Sequence, residues 1–313
     1  MTGVAAITRL APAKLNLFLH VVGRRDDGMH LLQSLVCFAD TGDRIRVTAE
    51  PVAAGSASSG NAGEASVRLT LDGPFAAAID GATEDNLVVR SARALAAFAG
   101  RADWHLDIDL QKNLPVAAGI GGGSADAAAT LSALIARWDL DPSAVMHSGV
   151  PLALGADVPS CLTAQPVLME GIGEHLTPVT IPADVGVVLV NPRVPLSTPA
   201  IFRDYRANEG FSPERAALAA DLSRAAATDR EAWFDLLCTM CNDLERPARR
   251  LCPSVAVVLS ALADLPGTVL VRMSGSGATC FALFPRLDDA RNAAATLAGA
   301  HPDWWIRDAQ LMA

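Results

Sequence analysis

The stretch from Asn113 to Thr130 reads Asn-Leu-Pro-Val-Ala-Ala-Gly-Ile-Gly-Gly-Gly-Ser-Ala-Asp-Ala-Ala-Ala-Thr. Pro115 opens it, glycines fall at 119, 121, 122 and 123, and Ser124 and Ala125 lead into an alanine-rich run that reads as helix to about Trp138. Glycine adopts positive φ without steric penalty and lets the main chain approach a ligand closely. A glycine loop entering a helix presents unpaired N–H groups at the positive end of the helix dipole. That is an anion site, and phosphate is its usual occupant. A mobile loop capped by Ser124 is the plainer reading of the same residues.

The loop fits neither of two common phosphate patterns. A Walker A loop needs Gly-Lys-Ser or Gly-Lys-Thr, and the chain contains no Gly-Lys pair. A dinucleotide loop follows the first strand of a βαβ unit and carries a third glycine where this chain has Ser124.

Lysine usage singles out two further positions. Lys14 and Lys112 are the two lysines in a chain of 313 residues with 25 lysines and arginines together. Lysine is a compact point charge on a flexible stem, which arginine cannot imitate, so these two positions are candidates for a specific task. Lys14 lies in Ala11-Pro-Ala-Lys-Leu-Asn-Leu-Phe-Leu-His20, whose alternation puts Leu15, Leu17 and Leu19 on one strand face and Lys14, Asn16 and Phe18 on the other. The second face is either a polar pocket lining or a solvated exterior. Asp157, in Gly155-Ala-Asp-Val-Pro159, is a helix cap by local sequence or a buried functional carboxylate. Cys238 and Cys241 have the spacing of a redox or zinc pair. No second pair accompanies them, and the six cysteines read as reduced, mostly buried structural thiols.

The net charge of −9 argues against nonspecific nucleic-acid binding. No apolar run is long enough to span a bilayer, and Met1 to Leu10 lack the blocks of a signal peptide, so a cytoplasmic protein is expected.

Several elements must position these groups. Strands are expected at 11–20, 31–39, 44–49, 67–71 and 104–110, with turns at Gly23–Gly28 and Asp40–Asp43. Residues 51 to 66 read as a surface loop. Asn86 caps a helix over Leu87–Phe98, and Asp141-Pro142 opens another that runs towards Leu154 with a break at Pro151. In the second half, strands are expected at 185–190, 269–273 and 278–284, and helices at 213–224, 230–237, 255–262 and from 287. Mixed strands and helices in both halves give an α+β or α/β class.

Four segments stand in the order of the GHMP kinase superfamily, named for galacto-, homoserine, mevalonate and phosphomevalonate kinases: Pro12-Ala-Lys-Leu-Asn16, Pro115 to Ala125, Gly155-Ala-Asp-Val-Pro159 and Ser274-Gly-Ser-Gly277. The wider text, including Arg25-Asp-Asp-Gly-Met-His30 and Glu170-Gly-Ile-Gly-Glu174, resembles the branch acting on cytidine diphosphate-linked methylerythritol over nearly the whole chain. The resemblance implies an α+β, two-domain fold. A ribosomal S5 domain 2-like ATP-binding domain would cover 1–170, and a ferredoxin-like substrate-binding domain 171–313.

It further implies ATP-dependent phosphorylation of the methylerythritol 2-hydroxyl, on the non-mevalonate route to isoprenoid precursors. Asp157 would be the base and Lys14 the cation that orients it. Asn86, Leu87 and Lys112 would contact adenine. Pro115, Gly119, Gly121, Gly122, Gly123, Ser124 and Ala125 would carry the triphosphate. Asn16, His30, Thr198 and Phe202 would hold the cytidine moiety, with Met29 where the family has an aromatic residue. Mg²⁺ is implied without assigned ligands. The partner is a small molecule, neither nucleic acid nor membrane, and the chain would be a monomer or weak homodimer. Two other readings stand beside this one: a homoserine- or mevalonate-type kinase, and a catalytically silent nucleotide-binding module.

Overall fold

A computed structural model describes residues 6–52, 64–79, 81 and 83–313. The first half contains β1 (Ile7–Arg24), β2 (His30–Pro51), β3 (Ser66–Asp72), α1 (Leu87–Phe98), β4 (Trp104–Gln111), α2 (Gly122–Trp138), α3 (Pro142–His147), α4 (Val150–Leu154) and α5 (Val158–Thr163). Then come β5 (Val167–Gly171), β6 (His175–Pro178), β7 (Gly186–Asn191), α6 (Thr198–Asn208), α7 (Leu218–Thr228), α8 (Arg230–Cys238), α9 (Glu245–Leu251), α10 (Pro253–Ala263), β8 (Leu270–Met273), β9 (Cys280–Phe284), α11 (Leu287–Ala300) and β10 (Trp305–Met312). The chain forms two compact units, each drawn from separate stretches of sequence.

The first unit takes Met1–Pro12, Gly42–Val116 and Gly122–Thr163. The C-terminal half of β2 pairs antiparallel with β4, and β3 joins β4 in parallel. Alternation sends Ile45, Val47, Leu106, Ile108 and Leu110 inward, while Arg46–Asp109 and Arg68–Asp107 pair across the exposed face. Helix α1 packs on α2. The Asn86 side chain accepts from the Val88 N–H, which satisfies one of the free donors at the start of α1. The alanine run of α2 buries Ala127, Ala128, Leu131 and Leu134, and its small side chains permit close helix approach.

The second unit takes Ala13–Thr41, Ala117–Gly121 and Ala164–Ala313. Its sheet runs β10-β7-β9-β8, antiparallel throughout. Helix α10 leads into β8 and α11 joins β9 to β10. This is the βαββαβ arrangement of a ferredoxin-like domain, as expected. Helices α10 and α11 both pack on the sheet, and Val188, Val190, Val255, Leu262, Phe284 and Leu297 fill the core between them. The N-terminal half of β2 pairs with β10 and with β5, and β6 adds to β5.

Several elements differ from expectation. The turn expected at Asp40–Asp43 is absent, and β2 runs unbroken from His30 to Pro51. Tertiary contacts override the local turn chemistry there. A Cβ at Gly42 would overlap the Ala11 carbonyl, and Asp43 is fully buried with its carboxylate satisfied by donors from 112–114. The break after Asp141 falls at Gly149, φ +81°, and Pro151 sits in the first turn of α4 instead. The helix expected at 213–224 starts at Leu218, after Ala217 in the left-handed region. Ser124 is not a cap: α2 begins at Gly122, and Ser124 lies in its first turn. Strands β5, β6 and β10 and helix α9 were not anticipated. The loop expected over 51–66 falls mostly outside the described residues. Cys238 and Cys241 are exposed, not buried, although all six thiols are free.

Candidate active site

The first unit gathers one set of the expected nucleotide residues. The N–H groups of Gly122, Gly123 and Ser124 occupy the first turn of α2, where no earlier carbonyl can accept them. Leu87, at the start of α1, lies beside this turn: a Cβ at Gly123 would be 3.6 Å from its Cδ1. Asn86 lines a cavity of about 120 Å³ together with Leu69, Leu71 and Ile79. Lys112 is buried, and its Nζ lies 3.5 Å from the place a Cβ at Gly122 would take.

Lys112 pairs with two buried carboxylates, Asp43 and Asp126, the latter at 2.7 Å. Burial alone would lower the Lys112 pKa, but Asp126 and Asp43 outweigh it and hold the ammonium above its ordinary value. Burial pushes Asp126 up to about 7; Lys112 opposes that rise and Asp43 adds to it. One ammonium against two carboxylates presents no net positive charge to a phosphate. It suits a neutral acceptor, such as a ring nitrogen of a base.

The second unit holds the other part of the glycine loop. Gly119 has φ +75°, and a Cβ there would stand 2.5 Å from the Ser274 carbonyl oxygen and 2.7 Å from the Gly277 nitrogen. Main chain therefore lies on main chain, which only glycine permits. The Ser274 hydroxyl donates to the Gly119 carbonyl at 3.0 Å, and the Thr279 N–H donates to the Ala118 carbonyl at 3.1 Å. Gly121 has φ +65°, and a Cβ there would lie 3.0 Å from the Lys14 Cβ. The Lys14 N–H donates to the Ile120 carbonyl at 3.0 Å. Lys14, Asn16 and Phe18 are all buried, so this face of β1 is not a solvated exterior.

The same turn reaches the expected cytidine residues. The Ser274 hydroxyl accepts from the Asn16 N–H, and the Asn16 Nδ2 donates to the Ser34 hydroxyl at 2.8 Å. Thr198 and Ser276 hydroxyls share a 2.6 Å hydrogen bond. Thr198 and Phe202 stand one helical turn apart on α6. Phe202 stacks on His30, with centroids 4.6 Å apart and planes at 25°, and Tyr205 meets the same ring edge-on at 6.3 Å. Asn16, Thr198, Phe202 and His30 are thereby linked through one hairpin turn and one helix. The Asn16 Oδ1 and His30 Nε2 are buried with no hydrogen-bond partner among the described residues. An orphaned buried acceptor or ring nitrogen is costly unless a ligand or water completes it. Met29 is 47 % exposed beside them.

Asp157 is half-buried and immediately precedes α5. Its carbonyl accepts from the Cys161 N–H at 3.0 Å and from the Ser160 hydroxyl at 2.9 Å. Sequence reasoning missed Asp43 and Asp126. Asp43 was disguised by turn-like neighbours, and Asp126 by the helix-forming run around it. The signal available for both was Lys112, a scarce cation whose burial demands carboxylate partners.

These features can be set beside known proteins. The description "GHMP kinases N terminal domain" matches residues 86–165, and "GHMP kinases C terminal" matches 216–303. A solved homoserine kinase from Cytophaga hutchinsonii shares the fold, with a TM-score of 0.68 at 17 % identity over 99 % of this chain and 96 % of that one. Fold and matched domains define a GHMP kinase, an ATP-dependent phosphotransferase acting on a small molecule. A 4-diphosphocytidyl-2-C-methyl-D-erythritol kinase from Granulibacter bethesdensis is 47 % identical over 92 % of this chain and 88 % of its own. A crystal structure of 4-(cytidine 5'-diphospho)-2C-methyl-D-erythritol kinase superposes with a TM-score of 0.75 at 33 % identity, covering 98 % of this chain and 100 % of that one. The chain belongs to the 4-diphosphocytidyl-2-C-methyl-D-erythritol kinase family.

Proposed function

We propose that this chain transfers the γ-phosphoryl group of ATP to the 2-hydroxyl of 4-diphosphocytidyl-2-C-methyl-D-erythritol, giving the 2-phosphate and ADP. The observation that carries the reading is the linked set Asn16–Thr198–Phe202–His30. It combines an aromatic stack with two unsatisfied buried polar atoms, as a pyrimidine site requires. We assign Asp157 as the base that accepts the hydroxyl proton and Lys14 as its orienting cation. Gly119, Gly121, Gly122, Gly123, Ser124 and Ala125 cradle the triphosphate, with Pro115 setting the entry to the loop. Asn86, Leu87 and Lys112 take adenine. Positioning and charge stabilisation dominate phosphoryl transfer, so this constellation suffices in kind.

Mg²⁺ is a hard cation usually held by substrate phosphates and one or two protein oxygens. Among the described residues no group of three His, Cys, Asp or Glu could hold a metal ion. The Ser124 hydroxyl is the oxygen donor offered by the loop itself, and the cation would neutralise phosphate charge there. We assign ATP binding chiefly to 1–170, and alcohol binding to 171–313 together with Asn16 of β1 and His30 of β2. We place the enzyme in the cytoplasm as a monomer or weak homodimer. No described helix is long and apolar enough to cross a membrane. The test is incubation with ATP, Mg²⁺ and the diphosphocytidyl alcohol, followed by mass spectrometry and phosphorus NMR. A product heavier by one phosphoryl group, esterified at C2, is expected; ATP hydrolysis with unchanged alcohol would overturn the reading.

A further inference from the structure

Asp43 lies in the middle of β2 with no exposed surface. One of its oxygens accepts from two consecutive backbone donors, Asn113 N at 2.5 Å and Leu114 N at 2.8 Å. The other accepts from Lys112 Nζ. The Asn113 Nδ2 returns a bond to the Gly42 carbonyl at 3.1 Å. The chain leaving β4 for the glycine loop is thus stitched to β2 at Gly42 and Asp43. A lysine ammonium has three N–H donors in tetrahedral array. Asp43 and Asp126 take two of them, which fixes the direction of the third. Gly122 leaves the space beside Nζ clear of any side chain.

This arrangement is a poor device for stability alone. A second buried carboxylate beside a single ammonium carries an uncompensated desolvation cost, and the raised Asp126 pKa, about 7, records that tension. Aiming a donor accounts for it better. We propose that Asp43 is a positioning residue for nucleotide binding, fixing Lys112 so that its remaining N–H meets the nucleotide on the first turn of α2. The assignment rests on the ATP reading above, and no part of that reading uses Asp43.

A double-mutant cycle on the full chain, read by calorimetric titration with ADP alone, tests it. Asp43→Asn keeps an oxygen for Asn113 and Leu114 but turns an amide towards the ammonium. It should weaken ADP binding about tenfold while leaving the KM for the alcohol unchanged. Lys112→Met should also weaken ADP binding, and the double variant should bind no worse than Lys112→Met alone. ADP affinity within twofold of wild type in Asp43→Asn, or losses that multiply in the double variant, would overturn the proposal. If Asp43→Asn does not fold, Asp126→Asn decides, because it leaves the Asp43–Lys112 pair in place. A partial loss of ADP affinity, smaller than that of Lys112→Met, is then expected because one of the two acceptors that aim Nζ remains; a loss as large as that of Lys112→Met would show that Asp43 contributes no aiming and would overturn the proposal. A wild-type chain that binds no ADP overturns the nucleotide reading and this proposal together. Wild-type binding of ADP without phosphorylation of the alcohol overturns the substrate reading alone.

Discussion

His30 illustrates how much one residue can be asked to do. Burial lowers its pKa below the ordinary 6.5, and the Arg206 and Arg24 charges lower it further. The folded ring is therefore neutral at pH 7, with one nitrogen available as donor and the other as acceptor. Because the folded value is depressed, the unfolded chain takes up the proton first as pH falls. The stability contribution is complete above about 6.5 and is lost as pH drops through the folded value. The KM for the alcohol should be flat from about pH 8 to 6.5 and rise on further acidification. Stopped-flow or steady-state titration checks this, and a KM already rising between pH 8 and 7 would contradict a neutral His30 as the reader of cytosine. Met29→Tyr should tighten the alcohol, since an aromatic ring stacked on a base adds about 0.5–1.5 kcal/mol beyond its buried area. Weaker binding would mean the side chain at 29 does not face the base.

At the scale of elements, the glycine loop is held by the hairpin joining β8 to β9. Gly119→Ala would drive a methyl group into the Ser274 carbonyl and the Gly277 amide. It should lower the thermal midpoint and weaken ATP, and an unperturbed midpoint in a calorimetric scan would contradict the main-chain packing described. Elements with their own local signals were legible in the sequence. Asn86 and Asp141 announced α1 and α3 through their caps, and both accept the N–H expected of a cap. The apolar run of β7 announced a strand buried on both faces. What stayed hidden depends on distant partners. Asp43 reads as a turn residue until Lys112, Asn113 and Leu114 surround it. The stack of Phe202 on His30 joins an α6 residue to a β2 residue, which no periodicity records. The resemblance supplied His30 and Phe202 but not Asp43, whereas local chemistry supplied only the loop and the two lysines.

At the scale of the molecule, a homoserine kinase shares the fold at 17 % identity, so the fold does not by itself fix the alcohol. The proposed role of Asp157 as base is tested by Asp157→Asn, which keeps shape but cannot accept the proton. Turnover should fall about 10²–10⁴-fold with both substrates still bound. Near-normal turnover would show that Asp157 is a helix cap, a task asparagine performs equally well. The central claim concerns the alcohol itself. It is tested most directly by comparing kcat/KM for the diphosphocytidyl alcohol, homoserine and mevalonate under identical ATP and Mg²⁺. A site whose buried polar groups are completed by cytosine rejects ligands lacking it by about 10⁴-fold or more. The account predicts turnover of the cytidine-linked alcohol alone within that range; comparable or faster turnover of homoserine or mevalonate would contradict it.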